Sequence, residues 1–424
     1  MADSRCVCRV GGDLEIFVKE RYYDQGTGQD GRWQLKETAS MMVSRACLQR
    51  YTSLLDTTAG NHGRAEGSRL VIDGESITAV KVWMEVLHRQ IPQATNINIK
   101  DVWWAIHFGN KYLLERKEGA ELTDPDTENN EDALKPAKDM SLLSGWFTRY
   151  YNMHEKYFKE KDDRGKLRAF SVLAPAYWFD CPQIFLDVTR HIAYNTAGHI
   201  ENDNPTECTD QYMRGVPGRA LVQLSAARGS QRGRLEKFLP RASAPCPDHE
   251  GECRDVMVFS HKKSLLKTGI KSLFSLADRK RTLNELLDNL DEYEFSLVSI
   301  RSWHGQQSIN PSWSTKLCKH CSHSLFPTAK SLTSQVLRAS KNVRKNFGGL
   351  CLDCMHKFKT EGDDGDYFSH DQPGQHDHGC RVKHGQPTWY FSYMGRKELM
   401  LRHQGRLAEE CRERKRELKE RVGA

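Results

Sequence analysis

The residues best suited to chemistry are cysteines, arranged as two C-x-x-C pairs in the last third of the chain. Cys318 and Cys321 form the first pair, and Cys351 and Cys354 form the second. Four thiolates brought together make a tetrahedral cage, which suits Zn²⁺ and leaves no coordination position open for water. The segment between the pairs is longer than in the commonest zinc ribbons. A redox function is disfavoured because no strand–helix–strand pattern surrounds either pair. The two pairs therefore predict a structural zinc site.

A run rich in histidine follows the second pair. Within this run, Cys380 and His384 are candidate ligands, because thiolates and imidazoles both bind Zn²⁺. They could hold a second zinc ion or replace one of the four paired cysteines, and the spacing leaves both arrangements open. The run also contains four weaker candidates, since a histidine in an exposed loop is usually only solvated. These are His356, His370, His376 and His378.

A smaller group of potential ligands lies in the middle of the chain. Cys246, His249 and Cys253 are close together in sequence, and Cys208 is a candidate for a fourth ligand. The group could bind another zinc ion, but it lacks the C-x-x-C spacing that makes the later pairs specific. A polar turn that contains two ordinary thiols is the favoured explanation.

Motifs for catalysis are not found. The sequence contains no G-x-S-x-G elbow, H-E-x-x-H pair or Walker A loop. Gly26, Gly28 and Gly31 match G-x-G-x-x-G, but a dinucleotide-binding loop must open directly into a helix. Here the residues that follow, 33 to 36, have the pattern of a strand, so the glycines predict a hairpin. A zinc cage closed by sulfur polarises no substrate, and the chain is therefore predicted not to be an enzyme.

Length and composition limit the class of protein. The chain has 424 residues, enough for two or three domains, with 38% hydrophobic and 28% charged residues. No apolar run approaches the ~18 residues that cross a bilayer, and the first residues lack the apolar core of a secretory signal. Thirteen cysteines without an export signal predict reduced thiols and metal ligands in the cytoplasm or nucleus. A net charge of +7 permits contact with nucleic acid without requiring it.

The elements predicted before the zinc segment give an α+β fold. Leu14 to Val18 alternate as a strand does, and a helix is predicted to begin near Thr38 or Ser40. A second strand ends at the turn Asp73-Gly74, and Ser76 is placed to cap the next helix. Apolar residues at helical spacing define that helix and its successor: Ile77, Val80, Trp83, Met84 and Leu87, then Val102, Trp103, Ile106 and Leu113.

The remainder of the chain is predicted to be helical or irregular. Residues 117 to 140 are acidic and poor in large apolar side chains, which is typical of a loop. Residues 165 to 305 are predicted to be mainly helical, with residues 225 to 234 as a linker. An apolar stripe marks a helix near the end of this region: Leu283, Leu286, Leu287 and Leu290. Residues 396 to 424 are highly charged, which predicts a solvated helix.

Several of these segments resemble the BTB/POZ family, in particular its members from filamentous fungi. The string at residues 13–18 resembles the opening strand of that domain, and the string at 43–48 resembles the helix that follows it. The string at 70–74 resembles the third strand of the domain, and the string at 82–88 resembles the next helix. Asn110-Lys111-Tyr112 is similar to a further helix of the family. The similarity covers residues 10 to 155, with insertions at 24–31, 59–68 and 117–140. Residues 350–355 and 384–396 are similar to the C-terminal block of the fungal proteins, and a zinc-binding module is predicted at 314–395.

The resemblance implies a function in protein–protein contact. Members of the family commonly dimerise, and some recruit cullin-type ubiquitin ligases. The chain is therefore predicted to be an adaptor that self-associates, with a cullin among its candidate partners and zinc as a structural ion. The alternative is a zinc-dependent transcriptional regulator that binds nucleic acid through basic stretches such as Lys341 to Lys345. A RING-like ligase module ranks last, because the clear pairs provide four of the eight ligands that it needs.

Overall fold

The chain folds into a small β-sheet followed by a large set of helices. A computed structural model describes residues 6–9, 12–24, 32–52, 54–55, 69–90, 92, 96–112, 138–198, 200, 216, 218–238, 252–270, 280–296, 319–357 and 380–382. Together these residues form four strands, eleven α-helices and one 3₁₀-helix. The predicted α+β class is confirmed, and most of the regular structure is helical.

The sheet occupies the N-terminal part of the chain. Its strands are β1 (Cys6–Arg9), β2 (Leu14–Asp24), β3 (Arg32–Val43) and β4 (Arg69–Asp73), and they lie in the order β1-β3-β2-β4. β2 and β3 are antiparallel, which confirms the predicted hairpin. β4 is parallel to β2, and β1 is parallel to β3. Alternate side chains of β2 are fully buried, as the period-2 pattern predicted.

The connection from β1 to β2 must cross the end of β3, since β1 and β2 lie on opposite sides of that strand. Gly12 makes this crossing. A Cβ atom there would overlap the carbonyl group of Val43 and lie 2.6 Å from the backbone nitrogen of Ser44. Only glycine therefore allows the two backbone segments to approach so closely.

The first helix begins later than predicted. The expected start near Thr38 or Ser40 is wrong, because β3 continues to Val43 and α1 spans Arg45–Tyr51. The strand continues because residues 39 to 42 pair with β2 on one side and with β1 on the other. Ser44 caps α1 by accepting a hydrogen bond from the Cys47 amide.

The next two helices lie where the apolar spacing predicted them. α2 spans Ile77–Leu87, and its cap at Ser76 is confirmed, since the Ser76 hydroxyl accepts from the Ala79 amide. α3 spans Ile99–Tyr112 and packs against α2. The indole of Trp83 in α2 donates to the carbonyl of Ala105 in α3 at 2.7 Å.

The rest of the described chain is helical apart from its connections. A 3₁₀-helix at Lys138–Leu143 precedes α4 (Ser144–Lys159), α5 (Ala169–Trp178), α6 (Pro182–Asn195), α7 (Gly218–Phe238), α8 (Glu252–Lys267), α9 (Leu283–Asp291), α10 (Lys319–Asn346) and α11 (Leu352–Lys357). The predicted stripe on α9 is buried, and Thr282 and Glu285 form a capping box at its start. None of the described helices combines the length and the apolar character that crossing a membrane requires.

The predicted linker at residues 225 to 234 is wrong, because these residues lie inside α7. The helix packs between α6 and α10, and Leu224, Ala227 and Gln231 are buried there. Small residues allow this close packing, although they do not produce the apolar periodicity that marks a helix in sequence. The part of the acidic segment between residues 113 and 137 lies outside the described residues, as does the charged tail from 396 to 424.

One hydrophobic core joins the sheet to the helices. Buried residues form a continuous cluster from β2 through α5 and α6 to α10. At the junction, the indole of Trp103 in α3 donates to the carbonyl of Ser171 in α5 at 2.9 Å. The α/β part and the helical part are therefore packed directly on each other, and α6 lies near the centre of the helical part.

Candidate metal centre

Helix α6 is the base on which the candidate metal centre is built. Pro182 occupies its first turn, where the missing amide of proline costs little. The apolar residues of α6 face the core: Ile184, Phe185, Val188 and Ile192. Thr189 is fully buried, so its hydroxyl must find partners within the protein.

The segment that connects α10 to α11 docks on α6. The ring of Phe347 stacks on that of Tyr194, and the Tyr194 hydroxyl donates to the carbonyl of Val343 at 2.7 Å. The amide of Leu350 donates to the Thr189 hydroxyl at 2.8 Å. These contacts fix the backbone immediately before Cys351.

Gly349 brings this segment to its closest approach to α6. Its φ angle of 118° is one that residues with a side chain rarely adopt. A Cβ atom at this position would overlap the carbonyl oxygen of Leu186 and lie 2.8 Å from its carbonyl carbon. The glycine is therefore required both by its backbone angle and by the space available.

Cys351 and Cys380 meet at the end of this docked segment. Cys351 is fully buried and caps α11, since its carbonyl accepts from the Met355 amide at 3.0 Å. The sulfur atoms of Cys351 and Cys380 and a carboxylate oxygen of Asp353 all lie within 4.8 Å of one another. Val382 packs beside Cys351, so the short segment 380–382 is held by apolar contact as well.

Arg381 ties the same short segment to two aspartates. Its guanidinium forms two hydrogen bonds of 2.6 Å with the carboxylate of Asp180, in the turn before α6. It also contacts Asp353 at 2.6 and 2.9 Å, and its backbone amide donates to the other oxygen of Asp353 at 2.6 Å. The hydrogen bonds to Asp180, followed by those to Asp353, raise the pKa of Arg381 above its ordinary value.

The donor atoms of this group fit a zinc ion better than a hard cation. Thiolates are soft ligands that select Zn²⁺, whereas Mg²⁺ and Ca²⁺ prefer oxygen. Both carboxylate oxygens of Asp353 already accept hydrogen bonds from Arg381, which leaves the two sulfur atoms as the principal donors. Cys351 and Cys380 alone supply half of a tetrahedral set.

The other predicted ligands fall at different places in the chain. Cys354 lies in α11, one turn after Cys351, and Cys321 lies in the first turn of α10, but neither side chain is described. Cys318 and His384 lie outside the described residues, as do Cys208, Cys246 and His249. Cys253 lies in α8 and His356 in α11, again without a described side chain.

Cys321 of the first C-x-x-C pair and Cys351 of the second both have described backbone positions. From Cys321 to the end of α10 at Asn346 the helix rises about 37 Å, at about 1.5 Å per residue. The chain from Asn346 to Cys351 can return at most about 17 Å. The backbones of Cys321 and Cys351 are thus on the order of 20 Å apart when α10 is taken as a straight helix.

Several residues that position the centre were not found from the sequence. Asp180, Asp353 and Arg381 carry ordinary surface charges, and nothing in their spacing indicates that they pair. Gly349 lies in a Gly-Gly step, which signals a turn but not a close approach to another helix. Thr189 looks like any other polar residue on a helix.

No match was found in a scan against protein-family models, in a search of curated proteins or in a search of solved structures. The resemblance to BTB/POZ domains consequently rests on the sequence motifs alone.

Proposed function

We propose that this protein is a non-enzymatic adaptor of the cytoplasm or nucleus, in which a BTB-like module at residues 10 to 155 mediates self-association and partner recruitment. The order of elements in that module carries the proposal. A hairpin of β2 and β3 is followed by α1, by β4 parallel to β2, and then by the helix pair α2 and α3. The motifs at residues 13–18, 43–48, 70–74, 82–88 and 110–112 overlap a described strand or helix.

The end of α3 supports the same assignment. Lys111, in the family-like Asn-Lys-Tyr string, donates from its ammonium group to Glu75 at 2.7 Å, and the Tyr112 hydroxyl donates to the same carboxylate oxygen at 3.2 Å. Glu75 is almost completely buried in the turn between β4 and α2. Lys111 and Tyr112 therefore fasten the end of α3 to the turn between β4 and α2.

Zinc acts in this proposal as a structural ion near the C-terminal end of the chain. The group of Cys351, Asp353 and Cys380 is packed against α6 and clamped by Arg381. An ion held in this way would stabilise the fold, because metal binding to a preformed site contributes folding free energy.

The proposal is tested by measuring self-association and cullin binding of the full chain. Sedimentation analysis at micromolar concentrations should give a dimer or larger oligomer, and the N-terminal domain of a cullin is the probe for recruitment by calorimetry. A chain that remains monomeric and binds no cullin domain would overturn the adaptor function. Leu35→Ser is the control variant. The side chain of Leu35 in β3 is exposed to solvent, so this substitution should leave the fold of the strand unchanged.

The nucleic-acid alternative finds less support in the structure. Of the basic residues at the end of α10, Arg344 is engaged in ion pairs with Asp288 at 2.7 Å and with Asp291 at 2.9 Å. Lys341 and Lys345 remain exposed, which leaves two cations in this stretch for phosphate contacts. An affinity for duplex DNA that falls steeply as salt rises would favour the alternative.

A further inference from the structure

We propose that Cys351 and Cys380 are a peroxide-sensitive pair of thiols, which hydrogen peroxide converts into a reversible disulfide. The inference goes beyond the adaptor function, and it touches the structural zinc of that proposal only because the same two sulfur atoms would hold the ion. The pair is formed across the fold, between the residue before α11 and the segment 380–382, and not within a C-x-x-C motif.

The closeness of the two sulfur atoms carries the inference. Cys351 and Cys380 are far apart in sequence, yet their sulfur atoms lie within 4.8 Å of each other. Neither cysteine is in a disulfide. Because an S–S bond is about 2.05 Å long, the two atoms need to approach by less than about 3 Å to form one.

The two thiols differ in their access to solvent, which sets the order of the reaction. Cys351 is fully buried, and the hydrogen bond from the adjacent Leu350 amide to Thr189 fixes its backbone. Cys380 is half-buried. Redox-sensing cysteines are accessible to solvent and often stand next to a second, resolving cysteine. An oxidant from solvent therefore reaches Cys380 first, and Cys351 is the resolving thiol.

The short segment that carries Cys380 can make the required approach. It is held by the ion pairs of Arg381 with Asp180 and Asp353, and the guanidinium is about half exposed. Ion pairs near the surface contribute little to stability, so they allow a small shift of the segment. Val382 packs beside Cys351 and keeps the two thiols together during that shift.

The reaction runs in two steps that balance. The thiolate sulfur of Cys380 attacks one oxygen of hydrogen peroxide, the O–O bond breaks, and hydroxide leaves and takes up a proton to become water. The sulfur is thereby oxidised to a sulfenic acid, and the peroxide is reduced. The sulfur of Cys351 then attacks the sulfenic sulfur, the S–O bond breaks, and hydroxide leaves with the proton of the Cys351 thiol as a second water molecule.

The test is to map the disulfides of the full-length chain after treatment with hydrogen peroxide. Remaining thiols are blocked with N-ethylmaleimide, and the peptides are analysed by mass spectrometry without reduction. We expect peptides linked through Cys351 and Cys380 as the main product, absent before peroxide and after dithiothreitol. The matched control Cys47→Ser should give the same product, since the Cys47 thiol instead donates to the Leu87 carbonyl. Free thiols at both positions, or disulfides to other cysteines in place of this one, would overturn the inference.

Dimedone, which traps sulfenic acids, tests the order of the two steps. In Cys351→Ser the sulfenic acid at Cys380 has no resolving thiol, so dimedone should label Cys380. In Cys380→Ser the buried Cys351 should stay unlabelled. Labelling of Cys351 in a folded Cys380→Ser chain, or no labelling of Cys380 in a folded Cys351→Ser chain, would refute this order.

The same treatment of zinc-loaded and chelator-treated chains separates this inference from the structural zinc. Where both proposals hold, a chromogenic chelator should detect zinc release from the loaded chain at the rate at which the disulfide forms. A disulfide that forms while zinc stays bound would refute zinc at these two sulfur atoms and support the disulfide. A zinc-free chain that forms no disulfide would overturn the inference and leave the zinc proposal standing.

Discussion

Replacing Gly349 by alanine tests how the candidate metal centre is positioned. The backbone angle of 118° disfavours any side chain at this position and costs about 1–3 kcal/mol. The new methyl group would also overlap the carbonyl of Leu186, and forcing extra atoms into a packed region typically costs about 1–3 kcal/mol. The two effects together predict that Gly349→Ala destabilises the folded chain by about 2–6 kcal/mol.

The matched control is Gly229→Ala. Gly229 lies in α7, and no atom lies within 4 Å of the position that an added methyl group would take, so alanine there should stabilise the helix by about 0.5–1 kcal/mol. Both variants can be compared with the wild type by urea denaturation monitored through tryptophan fluorescence. Gly349→Ala should also weaken zinc retention, because the displaced segment carries Cys351. If Gly349→Ala were as stable as the wild type, the docking of this segment on α6 would be refuted.

Three other changes probe contacts elsewhere in the structure. Thr189→Val keeps the side-chain shape but leaves the buried amide of Leu350 without its acceptor, so we expect a loss of about 1–3 kcal/mol in urea denaturation. Glu75→Gln removes the buried partner of Lys111. Because that lysine is about half exposed, we expect a loss of only roughly 1–2 kcal/mol, measurable in the same way. Burial lowers the pKa of His191 below 6.5, so the unfolded chain binds more protons and stability falls as the pH drops below 6.5. His191→Gln should make the denaturation midpoint less sensitive to pH in that window, and an unchanged pH dependence would contradict this account.

The sequence predicted those elements whose pattern depends on local chemistry. The alternation in β2, the cap at Ser76 and the stripe on α9 all follow from neighbouring residues, and each appears in the structure. Cys351 and Cys380 were named as candidate metal ligands from their type and spacing, and the structure brings their sulfur atoms into one group with Asp353, which the sequence did not indicate. Their proximity could not be derived from spacing, because it depends on where α10 ends and how the next residues dock.

Long-range contacts explain the predictions that failed. β3 continues past Ser40 because β1 pairs with its outer edge. The residue types of β3 alone do not indicate this pairing. The run around Ala227 is helical because α6 and α10 enclose it. Helix α10 separates the backbones of Cys321 and Cys351, and the sequence between them does not indicate so long a helix.

The crossing at Gly12 has a consequence for the solubility of the chain. β1 covers only part of the outer edge of β3, at residues 39 to 42, and it is itself only four residues long. An uncovered strand edge is a template for pairing with another chain, and short or covered edges are a common protection against aggregation. Deletion of the first ten residues, or a Gly12 substitution that moves β1 away, would uncover the outer edge of β3 at residues 39 to 42. β1 therefore keeps this stretch of β3 from pairing with another chain.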